Sequence, residues 1–249
     1  WSRYLNSNSL VRNIISIQGL RNSGKDETTK YINYLLNNPK CLHHYWIGKL
    51  LKFKTLYNRW SVDKYASKLK KMLAILINVD EERFEDRIFK EQYYFNFTKY
   101  ELLHESDVPK RKKLSDKLFN KELSRQNDRV AIDYILSIRQ LLQFFGTEVM
   151  RKYFGDSLWT LATLKSHSDY LIVADQRFII ENSISKKLGA YTIHIERPNC
   201  EVSLHSSEKQ LIELLNNHNY DVLLKNNGTL KDLFNNCKKI IYGYRNKVL

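Results

Sequence analysis

Short apolar runs alternate with stretches of helical spacing along much of this 249-residue chain. Ile14, Ile15 and Ile17 read as a buried strand. Tyr170 to Asp175 (YLIVAD), Ala190 to Glu196 (AYTIHIE) and Tyr220 to Leu224 (YDVLL) read as three more, separated by helical stretches at Ile180 to Leu188 and Ser207 to Asn217. Strands and helices alternating at this pitch predict a parallel sheet sandwiched between helices. The middle of the chain is patterned differently. Tyr65 to Ile77 sets Leu69, Met72, Leu73 and Leu76 on one helical face and turns Lys68, Lys70 and Lys71 to water. A second helix is predicted from Glu81 through Tyr93, and an amphipathic one from Arg129 to Phe145. Gly146-Thr147-Glu148 follows, with Thr147 predicted to cap the next helix through Arg151. Cys41 to Trp60 is aromatic and basic and takes no assignment. Only three prolines and eight glycines interrupt the chain, so long helices and few loops are expected.

The first strand runs directly into Gly19-x-x-x-x-Gly24-Lys25, the spacing of a phosphate-binding loop that opens a helix, here one ending near Asn37-Asn38-Pro39. Glycines let the backbone wrap closely enough to aim several N–H groups at one phosphate, and the helix adds its positive N-terminal end. Lys25 would reach the β- and γ-phosphates of a nucleotide. Asp26 stands where a Ser or Thr hydroxyl normally touches Mg²⁺. It reads either as a holder of metal-bound water or as a helix-start residue favoured by the dipole.

Charge points the same way. Lys and Arg number 41 against 27 Asp and Glu, a net +14 that predicts polyanionic ligands, either nucleotides or nucleic acid. Three cysteines, Cys41, Cys200 and Cys237, are an odd number at wide spacing, which predicts neither a disulfide framework nor a zinc site and suggests a reducing, cytoplasmic setting. His43 and His44 lack metal-site spacing. No run approaches the length of a membrane span, so a soluble protein without membrane contact is expected. Residues 1–12 read as a tail, and residues 13–249 as a single domain whose region from about 60 to 165 is a helical insertion.

At the end of YLIVAD, Asp175 has the position of an acidic residue beside a nucleotide's Mg²⁺, so Asp26 and Asp175 are the candidate metal residues. Gln176 follows where water-activating motor ATPases commonly carry Glu, which favours transfer to an acceptor over hydrolysis. Arg177 would project from the sheet's carboxyl edge, where open α/β sheets bind ligands, and a planar guanidinium suits charge spread over equatorial phosphoryl oxygens. Arg151 and Arg197 are similar candidates, each with a plain reading as a surface ion-pair partner.

Taken in order, GLRNSGKD, YASKLKKML with FEDRIFKE, LLQFFGTEVMRKYFGDSLW, YLIVADQRFIIE, GAYTIHIERP and LLKNNGTLKDL resemble the bacteriophage-type deoxynucleoside monophosphate kinases. The resemblance implies a P-loop fold similar to adenylate kinase, Mg-ATP as cofactor, and phosphorylation of deoxynucleoside monophosphates to diphosphates. It assigns Gly19, Asn22, Ser23, Gly24, Lys25 and Asp26 to the phosphate loop, and Asn227, Gly228 and Thr229, with Arg197, to the ATP site. Lys70, Lys90, Gln143, Gly146, Thr147, Glu148, Arg151 and Trp159 fall to the monophosphate site. Lys25, Arg151, Asp175 and Arg177 are the implied catalytic set, with Phe178 and Glu181 completing their motif. Glu27 and Ser67 depart from the family's Thr and Asp. A homodimer and a viral, AT-rich source are compatible with the resemblance.

A nucleic-acid-binding protein on a kinase scaffold is the rival reading. Pro109-Lys110-Arg111-Lys112-Lys113, within the polar stretch Thr98 to Asp128, reads as a nuclear-import signal, a nucleic-acid patch or, more commonly, a solvated loop, and sixteen tyrosines suit stacking on single strands. The intact Gly24, Lys25, Asp175 and Arg177 favour the enzyme.

Overall fold

Eight strands are present among the described residues: β1 (Asn13–Gly19), β2 (Ser61–Asp63), β3 (Tyr93–Asn96), β4 (Glu101–His104), β5 (Leu136–Ser137), β6 (Tyr170–Gln176), β7 (Tyr191–Glu196) and β8 (Val222–Lys225). The computed structural model describes residues 13–37, 59–127, 129–167, 169–200 and 206–248. The chain divides into two compact units, Trp1–Tyr65 with Thr160–Leu249, and Ala66–Trp159.

The first unit is built on a five-stranded sheet in the order β2-β6-β1-β7-β8, with every pairing parallel. Because side chains alternate across a strand, β1 sends Ile15 and Ile17 to one face and Ser16 and Gln18 to the other. The first face is apolar. Ile15, Ile17, Ile172, Ile193, Ile195 and Leu224 pack with Tyr31, Ile32 and Leu35 of the helix Lys25–Asn37 and with Leu233, Phe234, Cys237 and Ile241 of the helix Leu230–Val248. Burial there pushes the Cys237 thiol up to about 12, so this cysteine is an inert core residue. The opposite face carries a buried polar row, Ser16 and Gln18 of β1 with Thr192 and His194 of β7. Gln18 Oε1 accepts from Gln176 Nε2 at 2.8 Å, and Asn182, on the helix Ile179–Lys187, donates to the Asn219 carbonyl at 3.0 Å. Strand, glycine-rich turn, helix and parallel sheet together make a P-loop NTPase arrangement, the parallel sheet as the hydrophobic pattern predicts and the loop as the glycine spacing predicts.

Edge strand β2 falls just beyond the segment left unassigned, most of which lies outside the described residues, as do Asn38 and Pro39. The other three predicted strands agree with β6, β7 and β8 to within two residues at either end.

The second unit departs more from expectation. Ser67–Leu76 is the predicted helix, burying Leu69 and Leu73. The helix expected over Glu81 to Tyr93 is instead a 3₁₀ segment, Glu81–Glu85, then a short helix, Arg87–Gln92, capped by Asp86. Tyr93 begins β3, which pairs antiparallel with both β4 and β5. The insertion is therefore not all helical. The stretch Arg129 to Phe145 is also broken: Val130–Asp133 makes one turn, β5 pairs Leu136 with Phe95, and Ser137 caps the helix Ile138–Gln143 through a reciprocal bond with Gln140. Thr147 caps nothing. It lies inside a π-helix, Phe144–Arg151, whose wider turn brings Gly146 against Leu69, where a Cβ would come within 2.7 Å of Leu69 Cδ2.

Nor is Lys110 to Lys113 a free loop. Lys110–Lys112 forms a 3₁₀ turn, Lys112 Nζ donates to the Asp133 carbonyl at 2.6 Å, Lys113 ion-pairs with Glu105, and the helix Asp116–Ser124 follows with Ser115 as its cap.

Candidate active site

The loop between β1 and the helix Lys25–Asn37 is shaped by close backbone approaches. A Cβ at Gly19 would stand 2.7 Å from both the Ile195 carbonyl and Ser23 Oγ. Gly24 has φ +99°, and Asn22 a left-handed φ of 63°, a conformation that Asn tolerates better than most residues. Lys25 Nζ donates to the carbonyls of Gly19 at 2.6 Å and Leu20 at 2.5 Å, and Arg197 Nη1 to the Asn22 carbonyl at 3.4 Å. Asn226 Nδ2 donates to the Ser23 carbonyl at 2.8 Å. The Ser23 N–H turns back to the Leu20 carbonyl at 3.2 Å, and with these carbonyls drawn to donors the other loop N–H groups and the first turn of the helix serve an anion. An open cleft of about 460 Å³ sits here, lined by Asn22, Gly24, Lys25, Asp26, Glu27 and Arg197.

The electrostatics fit an anion as well. Burial lowers the Lys25 ammonium to about 8, and the nearby Arg177 guanidinium pushes in the same direction against Asp26 and Asp175. Two cations that oppose each other's charge gain when an anion neutralises both. Arg177 is held from its backbone, since its N–H and that of Phe178 both donate to Glu181 Oε2, at 2.8 and 3.0 Å. His194, in the polar row and close enough to feel Lys25, is pushed down to about 4, chiefly by burial, and is a neutral imidazole at physiological pH.

For the metal, the two acidic candidates differ in setting. Asp175, half-buried, accepts the Tyr65 N–H at 2.6 Å through Oδ1. Asp26 is exposed and lies 3.3 Å from Lys64 Nζ. No cluster of three or more His, Cys, Asp or Glu that could hold a metal is found among the described residues. That donor set suits Mg²⁺, which keeps several waters and takes one or two carboxylates together with substrate phosphates, and would not suit a metal needing an all-protein cage.

Past β8, Thr229 receives and returns bonds with Asp232, its N–H and Oγ1 donating to Asp232 Oδ2 at 2.9 and 2.7 Å, so it caps the helix Leu230–Val248. Asn227 and Gly228 are exposed beside it.

The remaining candidates lie in the second unit. Lys70 Nζ meets Glu85 Oε1 at 2.5 Å, while Lys90 Nζ donates to the Glu85 carbonyl at 3.3 Å. Gln143 Nε2 bonds Asn120 Oδ1 at 2.9 Å. Gly146, Thr147, Glu148 and Arg151 share the π-helix; Arg151 is buried and donates to the Asp156 carbonyl at 2.6 Å, and Trp159 Nε1 donates to the Gly146 carbonyl at 3.0 Å.

Sequence spacing misses Asn226, Lys64 and Tyr65. In Lys225-Asn226-Asn227-Gly228 the doubled Asn before Gly signals only a turn, and nothing in it says which amide folds back onto the glycine loop.

A family model, deoxynucleotide monophosphate kinase, matches residues 13–237. A deoxynucleotide monophosphate kinase of Escherichia phage RB69 is 30% identical over 113 residues, which is 42% of this chain and 45% of that protein. A protein of Acanthamoeba polyphaga mimivirus, provisionally named for the same activity, is 30% identical over 112 residues, 39% of this chain and 56% of its own. The chain thus spans about half the length of the curated relatives it matches. Dephospho-CoA kinase from Campylobacter jejuni overlays with a TM-score of 0.36 at 16% identity, covering 96% of this chain and 100% of that one. With all five strands of the parallel sheet and its glycine loop inside the matched residues, the chain belongs to the deoxynucleotide monophosphate kinase family.

Proposed function

We propose that this chain transfers the γ-phosphoryl group of ATP to deoxynucleoside monophosphates, giving the diphosphates. The observation that carries the reading is the pairing of Lys25, at the mouth of a glycine loop, with Arg177 close enough to depress its pKa. In this reading the loop N–H groups and the helix N-terminus bind the ATP phosphates, and Lys25 exchanges its loop carbonyls for β- and γ-oxygens. Arg177 meets the equatorial oxygens with its fork while Glu181 holds its backbone. Mg²⁺, when bound, would offset the charge of the β- and γ-oxygens, with Asp175 and Asp26 as its carboxylates. Gln176 is engaged by Gln18 and is no general base, which fits transfer to an acceptor hydroxyl or phosphate better than hydrolysis.

For the acceptor, the family resemblance supports Lys70, Lys90, Gln143, Gly146, Thr147, Glu148, Arg151 and Trp159. Arg151 and Trp159 spend polar groups on backbone carbonyls of their own unit, so their part is to shape the pocket wall as much as to touch substrate. Asn227, Gly228 and Thr229 fall to the ATP base side on the same ground. The test is coupled ADP release with Mg-ATP and each deoxynucleoside monophosphate in turn. Turnover that needs a monophosphate supports the reading; ATP hydrolysis indifferent to added monophosphate contradicts it.

A further inference from the structure

The phosphate loop is held from behind by a neutral amide. Asn226, the first residue after β8, is only 9% exposed, and its backbone N–H donates to the Glu196 carbonyl at 2.8 Å, which fixes it to the end of β7. From there its side-chain Nδ2 reaches the Ser23 carbonyl at 2.8 Å. The same nitrogen would lie 2.4 Å from a Cβ on Gly24, so it fills the space that any side chain at that position would need.

A trans peptide is planar, with its C=O and N–H pointing in opposite directions. Holding the Ser23 carbonyl toward Asn226 therefore turns the Gly24 N–H the other way. Gly24 and Lys25 line the cleft and Asn226 is not among its lining residues, the arrangement that an N–H turned away from Asn226 toward a ligand requires. The carbonyls of Gly19, Leu20 and Asn22 are met by Lys25 and Arg197, cations that a polyphosphate would itself attract. An uncharged amide carries no net charge for the phosphate to pull on.

We propose that Asn226 is a positioning residue of the phosphate loop, its amide fixing the Ser23–Gly24 peptide so that the Gly24 N–H donates to a nucleoside triphosphate. The identity of the ligand rests on the kinase reading above.

The experiment compares the full chain with Asn226→Ala and Asn226→Asp by calorimetric titration with Mg-ATP. Melting temperatures and separate KM values for ATP and a deoxynucleoside monophosphate complete the comparison. Loss of one buried, oriented donor is expected to weaken Mg-ATP about tenfold, and the isosteric Asp, which cannot donate when ionised and repels both carbonyl and phosphate, is expected to do worse. KM for ATP should rise while KM for the monophosphate stays put, a split that simple loosening of the fold would not produce. Unchanged Mg-ATP affinity in either folded variant overturns the proposal, and the Asp variant decides the matter should Ala fail to fold. If the parent binds Mg-ATP yet phosphorylates no monophosphate, the kinase reading falls, and the binding comparison still decides the role of Asn226.

Discussion

The backbone N–H of Tyr65 donates to Oδ1 of Asp175 at 2.6 Å, tying the residue after β2 and Lys64 to the acid near the carboxyl end of β6. Tyr65 is itself a fixed post. Its ring is buried, its hydroxyl bonds Ser185 at 2.5 Å, and burial raises its phenol well above the usual range. The carboxylate of Asp175 thereby has one oxygen set by a backbone donor that is itself anchored in the core.

Asp175→Asn keeps an oxygen to accept that bond and removes only the charge. We predict a fall in turnover of about a hundredfold or more and a shift of the Mg²⁺ dependence to higher concentration, with little change in melting temperature. Turnover within threefold of the parent at ordinary Mg²⁺ would remove Asp175 from the metal assignment.

Lys25 predicts a pH effect. Its ammonium is lowered to about 8, by burial first and Arg177 second, so its charge is lost as pH rises through that value. The kcat/KM for Mg-ATP, which reports the free enzyme, should fall above about pH 8, and Lys25→Arg should be weaker throughout but lack that limb. Stability moves the other way. From about 8 to the ordinary value near 10.5 the unfolded chain holds the proton that the native Lys25 has released, so this group's contribution to stability rises with pH across that window. A descending limb that Lys25→Arg retained would assign it to another group.

Arg177→Lys tests geometry against charge. Its backbone N–H is set by Glu181, so the guanidinium starts from a fixed point, and a lysine there would bring a point charge without the fork. We expect turnover nearly as low as in Arg177→Ala; a lysine variant with most of its activity would make Arg177 a structural residue.

Much of this was readable in the sequence, for identifiable reasons. Ile14 to Gly24-Lys25 combines a buried strand and a glycine spacing within a dozen residues, and both signals are local. So are YLIVAD and AYTIHIE, each a continuous apolar run. Leu136-Ser137 was not readable, because two residues of strand flanked by apolar helical spacing look like helix until Tyr94 and Phe95 are known to lie beside them. Ser137-x-x-Gln140 is a capping signal in plain view that marks the break. Asn226 was hidden for another reason. Its contact with Ser23 spans 203 positions, and no periodicity encodes it.

The basic run separates the two function classes. Replacing Lys110, Arg111, Lys112 and Lys113 by Ser removes the Lys112 bond to the Asp133 carbonyl and the Lys113 pair with Glu105, so a lower melting temperature is expected. Turnover should stay within about twofold, since exposed surface charges are screened over roughly a Debye length. For a nucleic-acid binder the same variant would flatten the salt dependence of DNA affinity, by about 0.9 in slope per lost duplex phosphate contact.

The most direct test of the kinase reading follows labelled γ-phosphate from Mg-ATP into a deoxynucleoside diphosphate, with the parent and Lys25→Ala compared side by side. The parent is predicted to form labelled diphosphate, and the variant, with its fold intact by circular dichroism, to form at least about a hundredfold less. Equal transfer by the two proteins, or no labelled diphosphate from the parent with any of the deoxynucleoside monophosphates, would contradict the account.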